Sequence, residues 1–229
     1  KLDATTKLVL VNALYLLGTW AEKFDPARTE RKSFELENGK KVPVPMMWQR
    51  RTVPTFPYAK RPSYEVLWMG FADRLIDVAW ILPNRGTSLA RVMERIDATE
   101  WGVFEQRVEP KAVDLLLPKF RIGGSGSLAE GLKAMGIREA FQRGKARFEG
   151  IDGGKAMLYV SEVLQKTVAK VDERGFEGAA ATAAIMTAGS APPREEKPIP
   201  FVVDRPFGFV VFHRQSGAVL FVGEVRDPR

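Results

Sequence analysis

From Gly175 to Pro193 the chain reads Gly-Phe-Glu-Gly-Ala-Ala-Ala-Thr-Ala-Ala-Ile-Met-Thr-Ala-Gly-Ser-Ala-Pro-Pro, a run of small and almost uncharged side chains. Alanine is the best helix former, so a small-residue helix is one reading, and a flexible linker is another. Neither explains the sequence on either side. In an extended chain alternate side chains share a face. One face would then hold Phe176, Gly178, Ala180, Thr182, Ala184 and Met186, and the other Glu177, Ala179, Ala181, Ala183 and Ile185. Small residues on both faces suit a strand that has to pass between strands already packed.

Strand signals surround this run. Residues 8–17 (LVLVNALYLL) read as a strand buried on both faces. Asn38-Gly39 marks a hairpin between Phe34-Glu35-Leu36 and Val42-Pro43-Val44. Two more strands fall within residues 64–82, closed by the turn Pro83-Asn84-Arg85-Gly86. Residues 87–106 are expected to be helical, with Leu89, Val92, Met93 and Ile96 at helix spacing and Ser88 as the cap. Val113 to Leu117 is a strand, the Gly/Ser stretch 123–127 reads as a loop, and Leu128 to Met135 is a short helix stopped by Gly136. A long strand spans Met157 to about Val171, and Gly208–Phe212 and Ala218–Val222 form a final hairpin around Gln215-Ser216-Gly217. Strands and helices do not alternate, so the class is α+β with mostly antiparallel sheets and a few helices.

Composition removes several chemistries. Cysteine is absent, which excludes disulfides, thiolate metal sites and a thiol nucleophile. His213 is the only histidine; it sits beside a hairpin turn and reads as a surface residue rather than a catalytic base. No phosphate-binding glycine loop, zinc-protease motif or nucleophile elbow is present, so no catalytic residue, metal or cofactor is expected. The net charge of +7 is spread over small pairs such as Lys40-Lys41 and Arg50-Arg51, which reads as a solvated surface. No nucleic-acid partner is expected, and no apolar run is long enough for a membrane span.

Several short motifs, taken in order, resemble one family. Val11-Asn12-Ala13-Leu14-Tyr15 with Gly18-Thr19-Trp20 is similar to the central-sheet strand and adjoining tryptophan of the serpins, most of which inhibit serine proteases. Val44-Pro45-Met46-Met47, Leu117-Pro118-Lys119-Phe120 and Leu132-Lys133-Ala134-Met135-Gly136-Ile137 fit the same family. So do Lys166-Thr167, Val171-Asp172-Glu173-Arg174-Gly175, Phe201-Val202-Val203-Asp204-Arg205-Pro206-Phe207, Phe221-Val222-Gly223-Glu224-Val225 and Asp227-Pro228. Each match is short; their joint order and spacing cover essentially the whole chain.

The resemblance implies a serpin-like fold with residues 175–193 as an exposed reactive-centre loop. It implies a suicide substrate: a protease attacks the loop, forms an acyl-enzyme, and is trapped when the loop inserts into the main sheet. Glu173 and Gly175 would open the hinge, followed by Phe176, Glu177, Gly178, Ala179, Ala180, Ala181 and Thr182, the part that enters first. Ser190-Ala191-Pro192-Pro193 resembles the residues just past the cleaved bond, which places that bond at Gly189–Ser190, with Thr187–Ala188 and Ala188–Gly189 as neighbours. Extended, Gly175 to Gly189 spans roughly 46 Å, the length of a long sheet strand. A glycine before the cut fills no deep pocket, so the expected target is an elastase-like or subtilisin-like protease. Trp20 falls at the top of the sheet, and Asn12 with Gln165 in a polar cluster beneath it.

Three residues depart from the family pattern. Phe176 stands where inhibitory members usually carry Thr or Ser, and a bulky inward side chain is expected to overpack by roughly 1–3 kcal/mol and slow insertion. Gly178 replaces an alanine at a cost of roughly 0.5–1 kcal/mol in a strand. Gln165 replaces a histidine but can still donate and accept. These departures feed the alternative, a non-inhibitory serpin that acts as a binding or chaperone-like protein. The resemblance also implies an extracellular location. It makes residues 1–229 a single partial domain, whose missing N-terminal helical part is an expected partner of the same fold.

Overall fold

Residues 7–96, 101–102, 108–153, 157–176 and 195–229 are described in a computed structural model. The first elements are β1 (Leu8–Tyr15), β2 (Gly18–Thr19), β3 (Glu30–Glu35), β4 (Lys41–Arg50), β5 (Phe56–Lys60), β6 (Tyr64–Gly70), β7 (Ile76–Pro83) and α1 (Leu89–Arg95). Then follow β8 (Glu109–Lys111), β9 (Val113–Pro118), β10 (Phe120–Ser127), α2 (Ala129–Ala134) and α3 (Glu149–Asp152). The last are β11 (Val160–Asp172), β12 (Gly175–Phe176), β13 (Ile199–Val202), β14 (Phe207–His213) and β15 (Val219–Val225). The chain divides into two compact units, Lys1–Leu16 with Ile122–Ala169, and Leu17–Arg121 with Lys170–Arg229.

In the smaller unit β1 runs parallel to β11, from Leu8 opposite Val160 to Tyr15 opposite Val168, with a register shift between Leu8 and Val9. β10 pairs with β11 as well. The Gly/Ser stretch is therefore a strand and not a loop. A Cβ at Gly123 would sit at ordinary contact distance, 3.6 Å, from the Thr167 carbonyl oxygen, so the strand does not depend on its glycines for room. The expectation that β1 is buried on both faces also fails, since Val11 is 74% exposed and Leu10 and Tyr15 are exposed too. Apolar composition says what a strand would bury; the neighbours decide what it does bury.

The larger unit holds two sheets, β13-β9-β4-β3 and β15-β14-β7-β6-β5-β8. The Asn38-Gly39 hairpin forms as expected between β3 and β4, with Gly39 at a φ of 77° that favours glycine. In the six-stranded sheet β7 and β14 are central, and nearly every residue of both is buried. On one face Tyr64, Val66, Ala79, Ile81, Val210 and Phe212 pack with Val92 of α1. On the other lies an aromatic core around Trp80. The helix expected at residues 87–106 is interrupted: the chain leaves the helix at Ile96, and Trp101 and Gly102 are helical again. α1 ends at Arg95, Ser88 makes no side-chain cap bond, and residues 97–100 and 103–107 lie outside the described set.

Candidate functional site

The hinge is built where β11 turns back into β12. Asp172 Oδ1 accepts from the Arg174 backbone N–H at 2.9 Å, which closes the turn. β12 then pairs on both sides, with Val171–Asp172 of β11 and with Gly18–Thr19 of β2. Gly175 is required there. Its φ is +153°, and a Cβ would fall 1.8 Å from the Gly18 carbonyl oxygen, so no side chain fits without moving backbone. The Trp20 and Phe24 N–H groups donate to the carbonyls of Arg174 and Glu173 at 2.9 and 3.0 Å.

Glu173 anchors the turn by its side chain. Its carboxylate accepts from Thr29 Oγ1 at 2.7 Å and pairs with Lys119 Nζ at 2.8 Å. Burial alone would push this carboxyl up, but the bonds from Lys119 and Thr29 outweigh it and hold the group below its ordinary value. Lys119 and Thr29 escaped the sequence reading as site residues. Lys119 lay within a family motif, but nothing in the sequence tied it to a glutamate so distant in the chain.

Phe176 is completely buried. Its ring lies 5.7 Å from Trp20, 5.9 Å from Phe71, 6.2 Å from Trp80 and 5.8 Å from Phe209, a cage drawn from four separate segments. Trp20 in turn stacks on Phe71 at 5.2 Å and donates its indole N–H to the Asp172 carbonyl at 2.9 Å. Gly18 makes that stack possible, because a Cβ there would lie 2.4 Å from the Phe71 ring. In β12 Phe176 is held by a specific aromatic fit. The cavity that receives the ring is lined by aromatics, which pack edge-on and offset without strain.

Of the other expected site residues, Asn12 and Gln165 are direct partners across the β1–β11 ladder. Asn12 is exposed, Gln165 is half-buried, and no hydrogen bond joins their side chains. Glu177, Gly178, Ala179, Ala180, Ala181 and Thr182, and the bond Gly189–Ser190, lie outside the described residues. Among the described residues no group of three or more acids or histidines could hold a metal. None of the described helices is long and apolar enough to cross a membrane. His213 Nδ1 pairs with Ser216 Oγ at 2.9 Å within its own hairpin turn.

The family model for serpins, serine protease inhibitors, matches residues 1–228. The chain belongs to the serpin family. It is 36% identical to human glia-derived nexin over 97% of this chain and 55% of that protein. It is 34% identical to bovine leukocyte elastase inhibitor over 99% of this chain and 60% of that protein. The crystal structure of native protease nexin-1 with heparin superposes with a TM-score of 0.78 and 35% identity, covering 98% of this chain and 58% of that one. The chain therefore spans somewhat more than half the length of these serpins. The α+β class with mostly antiparallel sheets and few helices agrees with this fold.

Proposed function

We propose that this serpin chain carries the loop and the receiving strands of a suicide-substrate inhibitor of serine proteases. On this reading residues 1–229 are part of a single serpin domain, residues 175–193 are its reactive-centre loop, and the bait bond is Gly189–Ser190. The protease supplies the chemistry, and no residue of the chain is catalytic. The observation that best supports the reading is the parallel ladder of β1 with β11. The loop follows β11 in the chain, and a new strand entering between these two would replace one ladder by two and bury its alternate side chains. That gain is what drives a metastable starting state downhill. Gly189, Ala188 and Thr187 offer no large or charged side chain, which favours an elastase-like or subtilisin-like target. The likeness to an elastase inhibitor agrees with that choice.

A second reading, a non-inhibitory binding serpin, is favoured by the caged Phe176. A ring held by four aromatics resists any movement of the hinge, and insertion has to outrun hydrolysis of the acyl-enzyme. The deciding experiment mixes the intact protein with an elastase and a subtilisin. A complex that survives boiling in SDS, with a released peptide beginning at Ser190, is the expected result. Clean cleavage without a complex would transfer the protein to the non-inhibitory reading, and recovery of the complex in Phe176→Thr would name the cause.

A further inference from the structure

The open face of the sheet β13-β9-β4-β3 carries a groove of about 370 Å³, whose lining includes Arg28, Trp48, Asp114, Leu116, Pro200 and Val202. The ladders set three of these in one row, Trp48 of β4 opposite Leu116 of β9, and Leu116 opposite Val202 of β13. All three are half-buried. Their chain neighbours Met47, Leu117 and Phe201 turn to the other face of the sheet and are fully buried. Apolar side chains scattered singly over a surface are ordinary, but three aligned across three strands form a continuous strip.

The indole is fixed before any partner arrives. Trp48 Nε1 donates to Asp114 Oδ1 at 2.6 Å, and the Arg28 guanidinium lies 5.0 Å from the centre of the ring. Arg28 pairs with Asp25 at 3.5 Å, and its side chain is 57% exposed. A tryptophan beside an arginine, apolar in the middle and rimmed by matched charge, has the chemistry of a binding hot spot. A ring already held loses little rotamer freedom on docking.

Position says what docks there. β13 is the first strand after residues 175–193, and the chain leading into it is tied to the end of β4. The Glu196 N–H donates to the Thr52 carbonyl at 2.8 Å, and the Ile199 N–H to the Ala112 carbonyl at 3.0 Å. Ser190 lies ten residues before Pro200, so bond and groove are at most about 35 Å apart. A protease domain of about 230 residues is roughly 45 Å across, broad enough to cover both.

We propose that this groove is a second docking site for the protease that attacks the loop, a role that rests on residues 175–193 being the bait. An apolar side chain on the protease surface packs against Trp48, Leu116 and Val202 while Gly189–Ser190 occupies its active site. Thr187, Ala188 and Gly189 offer a protease little to select. Discrimination between proteases therefore falls to a surface outside the bait.

The test is single-turnover cleavage of the loop in the intact protein by an elastase and by a subtilisin, over a range of serpin concentrations. This rate counts trapped and released protease alike. For the faster of the two enzymes, Trp48→Ala should raise the half-saturating concentration by about tenfold. Arg28→Glu, which sets a carboxylate against the apolar contact, should raise it by about threefold or more. The limiting rate should not change, because docking away from the reacting bond holds ground state and transition state alike. Trp48→Ala decides where thermal unfolding shows it folded, and Arg28→Glu decides where it is not. An unchanged half-saturation, or a loss confined to the limiting rate, overturns the groove; SDS-stable complexes in the same samples would leave the inhibitor reading standing. The expected shift without such complexes upholds the groove and overturns that reading alone. A loop that neither enzyme cuts overturns both.

Discussion

The base of the hinge and strand β1 are both rich in large apolar side chains, yet they end in opposite states. Phe176 and Trp20 are sealed inside aromatic contacts, whereas Val11, Leu10 and Tyr15 stand exposed on β1. Hydrophobicity does not separate them. The hinge gathers partners from β7, β14 and the chain after β2 and after β6, so each ring has neighbours on several sides. β1 has the β11 ladder along one side, and its side chains are left open.

The contrast can be broken most strongly at Phe176. Phe176→Ala empties the aromatic cage and should destabilise the larger unit by about 3–5 kcal/mol, read from denaturant unfolding followed by tryptophan fluorescence. A loss below about 1 kcal/mol would mean that the cage collapses freely or that the ring is not seated as described. The next effect is expected at the anchoring carboxylate. Lys119→Met leaves Glu173 buried without its cation and should cost roughly 1–3 kcal/mol.

The same carboxylate gives a pH signature. The folded protein holds the Glu173 carboxyl below its ordinary value. Its contribution is therefore fully present above the unfolded carboxylate range near 4.3 and is lost as pH falls through the depressed folded value. Glu173→Gln should flatten the stability profile in that acid window while leaving its shape near neutrality intact; an unchanged acid limb would remove Glu173 from the account. The smallest effect belongs to β1. Val11→Thr changes an exposed side chain and should stay within about 0.5 kcal/mol, and a larger loss would show that this face is covered in solution.

Much of this was legible along the chain. The Asn38-Gly39 hairpin, the β6–β7 pair, the α2 stop at Gly136 and the closing hairpin at Gly217 all rest on local rules. A positive φ, a turn dipeptide or a helix stop is decided within a few residues. Gly175 belongs with them only in part. Its identity marked a hinge, but the reason for it, the carbonyl of Gly18, comes from far away in the chain. The Gly/Ser strand β10 was misread because glycine-rich composition signals a turn locally, while pairing with β11 overrides that preference.

By itself, then, the sequence determined the class, the order of strands and the family, because periodicity, turn residues and ordered motifs are properties of the linear chain. The tertiary structure alone decided that Phe176 sits in a cage of four aromatics, that Glu173 is held by Lys119 and Thr29, and that Val11, Leu10 and Tyr15 of β1 are exposed. Each of these depends on which distant segments meet, and burial, ring geometry and a carboxylate's charge partner exist only once they have met.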